Sequence, residues 1–199
     1  MSMQTLTFIN DQELIAGLKA HEAQACEQLI ADYADMVYRV CYRILQDPGD
    51  AEDAMQETFL TVYRSIDSFR GDSKLSSWLY RVAANKSLNI LRSRKRKQGL
   101  NVSLETDEGD ELPIADETVI VPEDLLLREE NLQVLQEALD AMSPKLRAAV
   151  VLYELENLSM KETAEALDIS ESAAKVRVHR GRIFLQQYLS RRPQETQHE

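Results

Sequence analysis

Residues 98–122 interrupt the helical periodicity of the chain and divide it into two parts. Apolar residues recur at helical spacing before and after this stretch, whereas the stretch itself is aperiodic and contains Gly109, Pro113 and Pro122. Its acidic composition favours an extended or disordered linker. We therefore predict an all-α protein in which an acidic flexible linker joins two small helical domains. The predicted boundaries are 1–97 for the first domain, 98–124 for the linker, 125–192 for the second domain and 193–199 for a tail.

Charge is distributed unevenly along the chain. The formal net charge is −11, but residues 98–130 carry eleven acids and one base, a net of −10. Residues 81–97 carry seven Lys or Arg and no acid, and residues 171–192 carry six bases and one acid. Two basic segments of this kind favour contact with nucleic acid, despite the acidity of the whole chain.

Other classes of protein are disfavoured by what the sequence lacks. No apolar run is long enough for a membrane span and the N-terminus has no signal-peptide pattern, so we expect a cytoplasmic protein. Cys26 and Cys41 have neither C-x-x-C spacing nor a neighbouring His, which favours structural thiols over a metal or redox site. No cofactor, metal ion or catalytic group is expected, and the chain is not predicted to be an enzyme.

The first part of the chain predicts four helices. The apolar pattern places them over 11–20, 23–45, 50–66 and about 76–97. Asp50 is predicted as the N-cap of the third helix, after a turn at 46–49, and 68–73 is predicted as a loop. In the third helix one face is expected to pack inward, and it comprises Ala51, Met55, Thr58, Val62 and Ile66. The opposite face is expected to be exposed, and it comprises Asp53, Gln56, Glu57 and Leu60.

The second part contains the pattern of a helix-turn-helix. Periodicity resumes at Leu125, and Ser143 with Pro144 predicts the start of a helix over 144–156. Ser159 and Glu162 then form a capping box for a helix that ends near 167, and Ser170 caps a second helix after a three-residue turn at 168–170.

The two faces of the last predicted helix differ in character. An apolar stripe is expected to be buried, and it comprises Ala174, Val178, Gly181 and Leu185. The residues expected to face a major groove are Lys175, Val176, His179 and Arg180. Arg177 and Arg182 are expected to lie near phosphates. A capped helical hairpin with a solvated basic face is the alternative, but the capping box, the small Ala164 at the crossing, the short turn and the basic face together favour DNA binding.

Four stretches in this order resemble the extracytoplasmic function (ECF) group of the sigma-70 family of bacterial sigma factors. They read DAEDAMQETFL over 50–60, SFRGDS over 68–73, SWLYRVAAN over 77–85 and LSMKETAEAL over 158–167, and the resemblance covers about residues 10–190. It implies a transcription initiation factor that binds core RNA polymerase and promoter DNA and uses no cofactor. It also implies control by an anti-sigma protein that covers the same surfaces.

The resemblance implies roles for particular residues. Core polymerase binding falls on Asp50, Asp53, Gln56, Glu57 and Leu60. Recognition of the −10 promoter element falls on Phe69, Arg70, Gly71, Asp72, Ser73, Lys74, Asn85, Lys86 and Arg92. Recognition of the −35 element falls on Ser170, Ser172, Ala173, Lys175, Val176, Arg177, His179 and Arg180. Phe69 is equally consistent with a core position, and Val176 stands where the group often has a polar residue.

Two other functions remain open from the sequence. The first is an ordinary helix-turn-helix regulator that does not bind polymerase stably. The second is a metal-dependent nuclease, which is disfavoured because no His accompanies the carboxylates at Asp53 and Glu57.

Overall fold

The computed structural model describes residues 8–97 and 129–191, and only the backbone of 129–132. Within these ranges every regular element is helical. The first range contains α1 (Asp11–Lys19), α2 (Ala23–Leu45), α3 (Pro48–Ser65), a 3₁₀ turn (Ile66–Ser68) and α4 (Leu75–Lys97). The second contains α5 (Glu129–Ala141), α6 (Pro144–Val150), a π-helical turn (Val151–Leu155), α7 (Met160–Leu167) and α8 (Glu171–Ser190). The predicted all-α class is confirmed, and the predicted linker over 98–124, the helix start at Leu125 and the tail over 193–199 lie outside the described residues.

The chain divides into two compact units, of which the first ends at Lys97. No helix in the described ranges is long and apolar enough to cross a membrane.

The start of α3 differs from the prediction. Asp47, not Asp50, is the N-cap, and its side chain accepts a hydrogen bond of 2.8 Å from the Asp50 backbone N–H. Pro48 occupies the first helical position, where its fixed φ fits the helix and its missing N–H has no consequence. The N-cap therefore lies three residues earlier than predicted. The preceding helix, α2, ends at Leu45, and its C-cap Gln46 takes the left-handed conformation.

The core of the first unit forms where α2 packs against α3 and α4 and these two pack against each other. The predicted inward face of α3 is largely confirmed, because Ala51, Thr58, Val62 and Ile66 are all fully buried. The Thr58 hydroxyl donates to the Ala54 carbonyl, which satisfies it inside the core. Met55 is only partly buried.

In the second unit, α8 packs against α5, α6 and α7. Ser143 and Pro144 begin α6 as predicted, but the expected continuous helix to residue 156 changes to a π-helical turn after Val150. The Arg147 side chain is 5% exposed and donates to the carbonyls of Asp140 and Met142. These bonds satisfy the carbonyls at the end of α5 and fix the α5–α6 corner.

Candidate nucleic-acid interface

The predicted helix-turn-helix is present as α7 and α8. Ser159 and Glu162 form the capping box, with 3.2 Å from the Glu162 backbone N–H to the Ser159 hydroxyl and 2.9 Å from the Ser159 N–H to the Glu162 carboxylate. Asp168 takes the left-handed conformation at φ 56°, which Asp tolerates better than most residues. Ser170 then caps α8 by accepting from the Ala173 N–H at 3.1 Å.

The apolar stripe of α8 is buried as predicted. Ala174, Val178, Gly181 and Leu185 all lie in the core of the second unit. A Cβ built on Gly181 would lie 2.2 Å from Cγ2 of Val150 on α6, well inside normal contact distance. Gly181 therefore allows α8 and α6 to approach closely.

The opposite side of α8 presents polar groups near its N-terminus. Ser170, Ser172 and Lys175 are exposed, and the two serine hydroxyls lie 2.9 Å apart. Ala173, His179 and Arg180 are half-buried. This short polar surface at the start of the second helix is the part that helix-turn-helix proteins place against base edges.

Three side chains of α8 are not placed as expected. Val176 and Arg177 are each only 6% exposed, so neither is presented on the outer face. The reason is that α8 contacts three helices, which bury a wider arc than one apolar stripe predicts. Arg182, expected near phosphates, forms an ion pair of 2.6 Å with Glu154 on the π-helical turn and lies over the Tyr153 ring.

The outer face of α3 is exposed as predicted at Asp53, Gln56, Glu57 and Leu60. It borders an apolar groove of about 540 Å³ between α2 and α3 that the sequence reasoning missed. Ile30 and Tyr63 are 48% and 40% exposed, and Leu60 is 45% exposed. The signal available in the sequence was Ile30, which lies on the apolar side of α2 next to Leu29 although it stays exposed. The groove is lined by Leu18, Cys26, Leu29, Ile30, Met55, Gln56, Phe59, Leu60 and Tyr63.

Two acids of α3 are paired with bases of α4. Glu57 lies 3.3 Å from the Lys86 ammonium, and Asp50 lies 2.5 Å from the Arg94 guanidinium. Arg94 also lies 3.5 Å from Asp47. The pKa of Asp47 is lowered, first by the Asp50 backbone N–H and then by Arg94. Asp50 is thus half-buried in this pair instead of being part of a freely exposed acidic face.

The loop over residues 70–74, which leads into α4, is exposed throughout. Arg70, Gly71, Asp72, Ser73 and Lys74 are all solvent-accessible, and Gly71 has φ 80°, in the left-handed region that favours glycine. This surface can therefore meet a ligand without rearrangement of the core.

Phe69, immediately before the exposed loop, is placed differently from the residues that follow it. Phe69 is 7% exposed, and the centroids of its ring and of the Trp78 ring lie 4.8 Å apart in a stacked arrangement. Phe69 therefore occupies a core position in this structure.

The remaining basic and polar candidates lie along α4. Asn85 and Lys86 are half-buried, while Arg92 is exposed and donates to the Asn89 side chain at 2.9 Å. The exposed end of the helix carries Lys95, Arg96 and Lys97. Among the residues that the structure describes, no three His, Cys, Asp or Glu side chains are grouped so that they could hold a metal ion.

Two family models match this chain, one in each unit. Sigma-70 region 2 matches residues 29–97, and Sigma-70 region 4 matches residues 132–185. The ECF RNA polymerase sigma factor SigW of Bacillus subtilis is 33% identical, over 88% of this chain and 94% of SigW. The ECF RNA polymerase sigma-E factor of Escherichia coli is also 33% identical, over 87% of this chain and 91% of that protein.

Solved structures with the same fold include two complexes. CnrH, in complex with the cytosolic domain of CnrY, matches this chain with a TM-score of 0.64 at 21% sequence identity. The match covers 90% of this chain and 97% of the CnrH chain. The sigma factor RpoE, in complex with the anti-sigma factor NepR from Bartonella quintana, matches with a TM-score of 0.63 at 22% sequence identity. The match covers 84% of this chain and 98% of the RpoE chain.

Proposed function

The chain belongs to the ECF group of the sigma-70 family of RNA polymerase sigma factors, and from that premise we propose how its surfaces are divided among its partners. As a member of this family it is a transcription initiation factor that binds core RNA polymerase and directs it to promoters. The polymerase carries out the chemistry, and this chain is not an enzyme and needs no cofactor. It acts in the cytoplasm, where it meets the polymerase.

Residues 1–97 form the domain that binds core polymerase. The contact surface is the outer face of α3, where Asp53 and Gln56 are exposed beside Leu60 and the apolar groove. An acidic face next to an apolar groove suits an amphipathic basic helix, because charge steers the approach and apolar burial holds the complex. Asp50 and Glu57 contribute after exchanging their partners on α4 for basic groups of the polymerase.

The same domain reads the −10 element with the loop after Phe69 and with α4. Reading of a flipped base requires donors and acceptors at a fixed place, and the exposed loop from Arg70 to Lys74 provides them together with Asn85. Lys86, Arg92 and the basic end of α4 follow the phosphates. Phe69 supports this loop from inside the core instead of stacking on a base.

Residues 125–192 form the domain that reads the −35 element, with residues 98–124 as the linker and 193–199 as a tail. The set of residues that we propose to contact the −35 element is smaller than the sequence predicts, because Val176 and Arg177 are buried. It comprises Ser170, Ser172, Ala173, Lys175, His179 and Arg180. The serine hydroxyls and the N-terminus of α8 contact the phosphate backbone of the DNA, while Lys175 reaches the edge of a guanine.

Control by an anti-sigma protein is the final part of the proposal. The likeness in fold to CnrH, solved with the cytosolic domain of CnrY, and to the sigma factor RpoE, solved with the anti-sigma factor NepR, supports it. Such a partner would cover the α3 face and the helix-turn-helix together.

The observation that carries the proposal is the capped helix-turn-helix with Lys175 exposed at the start of α8, on a chain that is similar to sigma factors along most of its length. The test is transcription from a genomic library by core polymerase with and without the protein, followed by assays on one promoter found in this way. New transcripts and co-elution with core polymerase on gel filtration are expected. An ordinary regulator would give neither result.

The role of α8 is tested on that promoter with Lys175→Ala. We expect about a tenfold or greater loss of affinity and relaxed specificity at one base pair of the −35 element. Lys145→Ala on α6 is the matched control, because it removes the same charge from the same unit away from the outer face of α8 and should leave specificity unchanged. Equal effects of the two variants would contradict the assignment of α8.

A further inference from the structure

The exposed loop over residues 70–74 is anchored at both of its ends. All five residues are exposed, and a Cβ built on Gly71 meets no atom within 4 Å. On one side the chain enters α4 at Leu75, which is fully buried. On the other side it leaves Phe69, whose ring is stacked in the core against Trp78. The shape of the loop therefore depends on how firmly Phe69 and Leu75 are placed.

A third contact acts at the Phe69 end and comes from a distant helix. The Lys19 ammonium, at the end of α1, donates to the Phe69 carbonyl at 2.8 Å. The Phe69 N–H donates to the Ile66 carbonyl, so both polar groups of the Phe69 backbone are hydrogen-bonded. The Phe69 carbonyl belongs to the peptide unit that leads into the loop, so the Lys19 bond sets the direction in which the loop leaves the core.

The residues that follow α1 make further contacts with the 3₁₀ turn and with the end of α3. His21 lies 4.0 Å from Asp67 and packs edge-on against Tyr63 at 5.4 Å. Leu18, one residue before Lys19, is fully buried, which fixes the backbone from which the Lys19 side chain extends. The Lys19 ammonium is thus a charged donor on a rigid support, and charged hydrogen bonds are stronger than neutral ones.

We propose that Lys19 is a positioning residue for −10 recognition: it holds the Phe69 carbonyl and so sets the geometry of the loop over 70–74 without touching DNA. This inference rests on the proposed role of that loop in promoter reading. A recognition loop displaced by about 1 Å loses much of its selectivity, because contacts to base edges depend on distance and direction. Lys19 therefore governs specificity from outside the contact surface.

The test uses holoenzyme reconstituted from core polymerase and the full chain, on a fork-junction probe with the −10 sequence found by the transcription experiment. Lys19→Met keeps the length of the side chain and removes the donor, while Lys19→Arg keeps a donor. We expect Lys19→Met to lower discrimination against a single substituted −10 base by about tenfold, and Lys19→Arg to restore most of it. Affinity for core polymerase and for a −35 duplex should not change.

Salt dependence distinguishes positioning from direct contact. A lysine that contacts a phosphate lowers the slope of log affinity against log salt by about 1 when it is removed, whereas a positioning lysine leaves the slope unchanged. Lys95→Met, on the exposed end of α4, is the contrasting variant and should lower the slope without altering base discrimination. A lowered slope for Lys19→Met would overturn the proposal in favour of direct contact.

Unfolding followed by Trp78 fluorescence shows whether the first unit stays folded in each variant. If Lys19→Met does not fold, Lys19→Gln replaces it, because its shorter side chain does not reach the carbonyl. Wild-type discrimination in a folded Met or Gln variant would refute the role of Lys19 alone. Failure of the wild-type holoenzyme to discriminate −10 bases at all would overturn the role of the loop, and the role of Lys19 with it.

Discussion

Gly181→Ala separates helix propensity from packing at the crossing of α8 and α6. Alanine in a helix interior is favoured over glycine by about 1 kcal/mol. Here, however, its Cβ would lie 2.2 Å from Cγ2 of Val150, which is fully buried, and 3.8 Å from the Leu146 carbonyl. Normal carbon–carbon contact needs about 3.5 Å or more, so one helix has to move by about 1 Å.

The balance of the two effects is a net loss of stability. Inserting a methyl group into a packed core typically costs about 1–3 kcal/mol. Over most of this range the cost exceeds the gain of about 1 kcal/mol in helix propensity. We therefore expect Gly181→Ala to lower the free energy of unfolding of the second unit by up to about 2 kcal/mol. Hydrogen exchange of α6 and α8 amides measures this, because it reports on each unit separately.

A second substitution identifies the cause. Val150→Ala removes the clashing Cγ2 atom and by itself costs about 2 kcal/mol for two buried methyl groups. If the clash is real, the double variant should be more stable than the sum of the single effects by about 1 kcal/mol or more. Additive effects, or a Gly181→Ala variant that is more stable than wild type, would refute the close approach of these helices.

Gly49→Ala is the matched control in the other unit. A Cβ there meets only the Asp47 carboxylate oxygen, at the ordinary distance of 3.4 Å. The substitution should therefore raise stability by up to about 1 kcal/mol. Trp78, the single Trp of the chain, reports this change by fluorescence, and its unfolding transition should not move in the Gly181 variants.

Two further predictions concern buried polar groups. Arg147→Met leaves the carbonyls of Asp140 and Met142 without their donor, so exchange of α5 amides should reveal a loss of about 2–3 kcal/mol, and a loss below about 0.5 kcal/mol would contradict the role of these bonds. Burial raises the pKa of Cys41 to about 11, and burial and Glu27 also raise the pKa of the more accessible Cys26. At about pH 8 the native chain should therefore show one slowly reacting thiol, Cys26, and a second only after unfolding. Because the folded pKa is the higher one, the stability that Cys41 contributes is present below about pH 9 and is lost as pH rises through about 11. Equal reactivity of both thiols would show that Cys41 is accessible.

Local signals in the sequence were sufficient for the elements and their caps. The bounds of α2 and the capping box at Ser159 follow from periodicity and from side chains that bond to backbone within four residues. The misplaced start of α3 also had a local signal, since an Asp followed by Pro is a standard N-cap and first position. The predicted N-cap at Asp50 is wrong because Pro48 and Gly49, within the predicted turn at 46–49, already belong to the helix.

The features that the sequence did not predict depend on contacts between distant parts of the chain. Val176 and Arg177 are buried because three helices surround α8, and a pattern within one helix cannot count its neighbours. The bond from Lys19 to the Phe69 carbonyl joins residues fifty positions apart and has no local signature. The packing role of Gly181 likewise appears only when Val150 is placed opposite it.

The ion pairs between α3 and α4 connect the two surfaces that we assign to different partners. Glu57 and Asp50 belong to the proposed polymerase surface, while Lys86 and Arg94 lie on α4, the basic helix that we propose follows the phosphates. The Glu57–Lys86 pair is partly exposed, with side chains 55% and 30% accessible, and such pairs contribute at most about 1 kcal/mol. A basic group of the polymerase can therefore replace Lys86 at little cost in stability, and Lys86 is then available to a phosphate. We therefore expect the binding of polymerase and of DNA to be coupled positively, since each partner supplies the charge that the other removes from the Glu57–Lys86 pair.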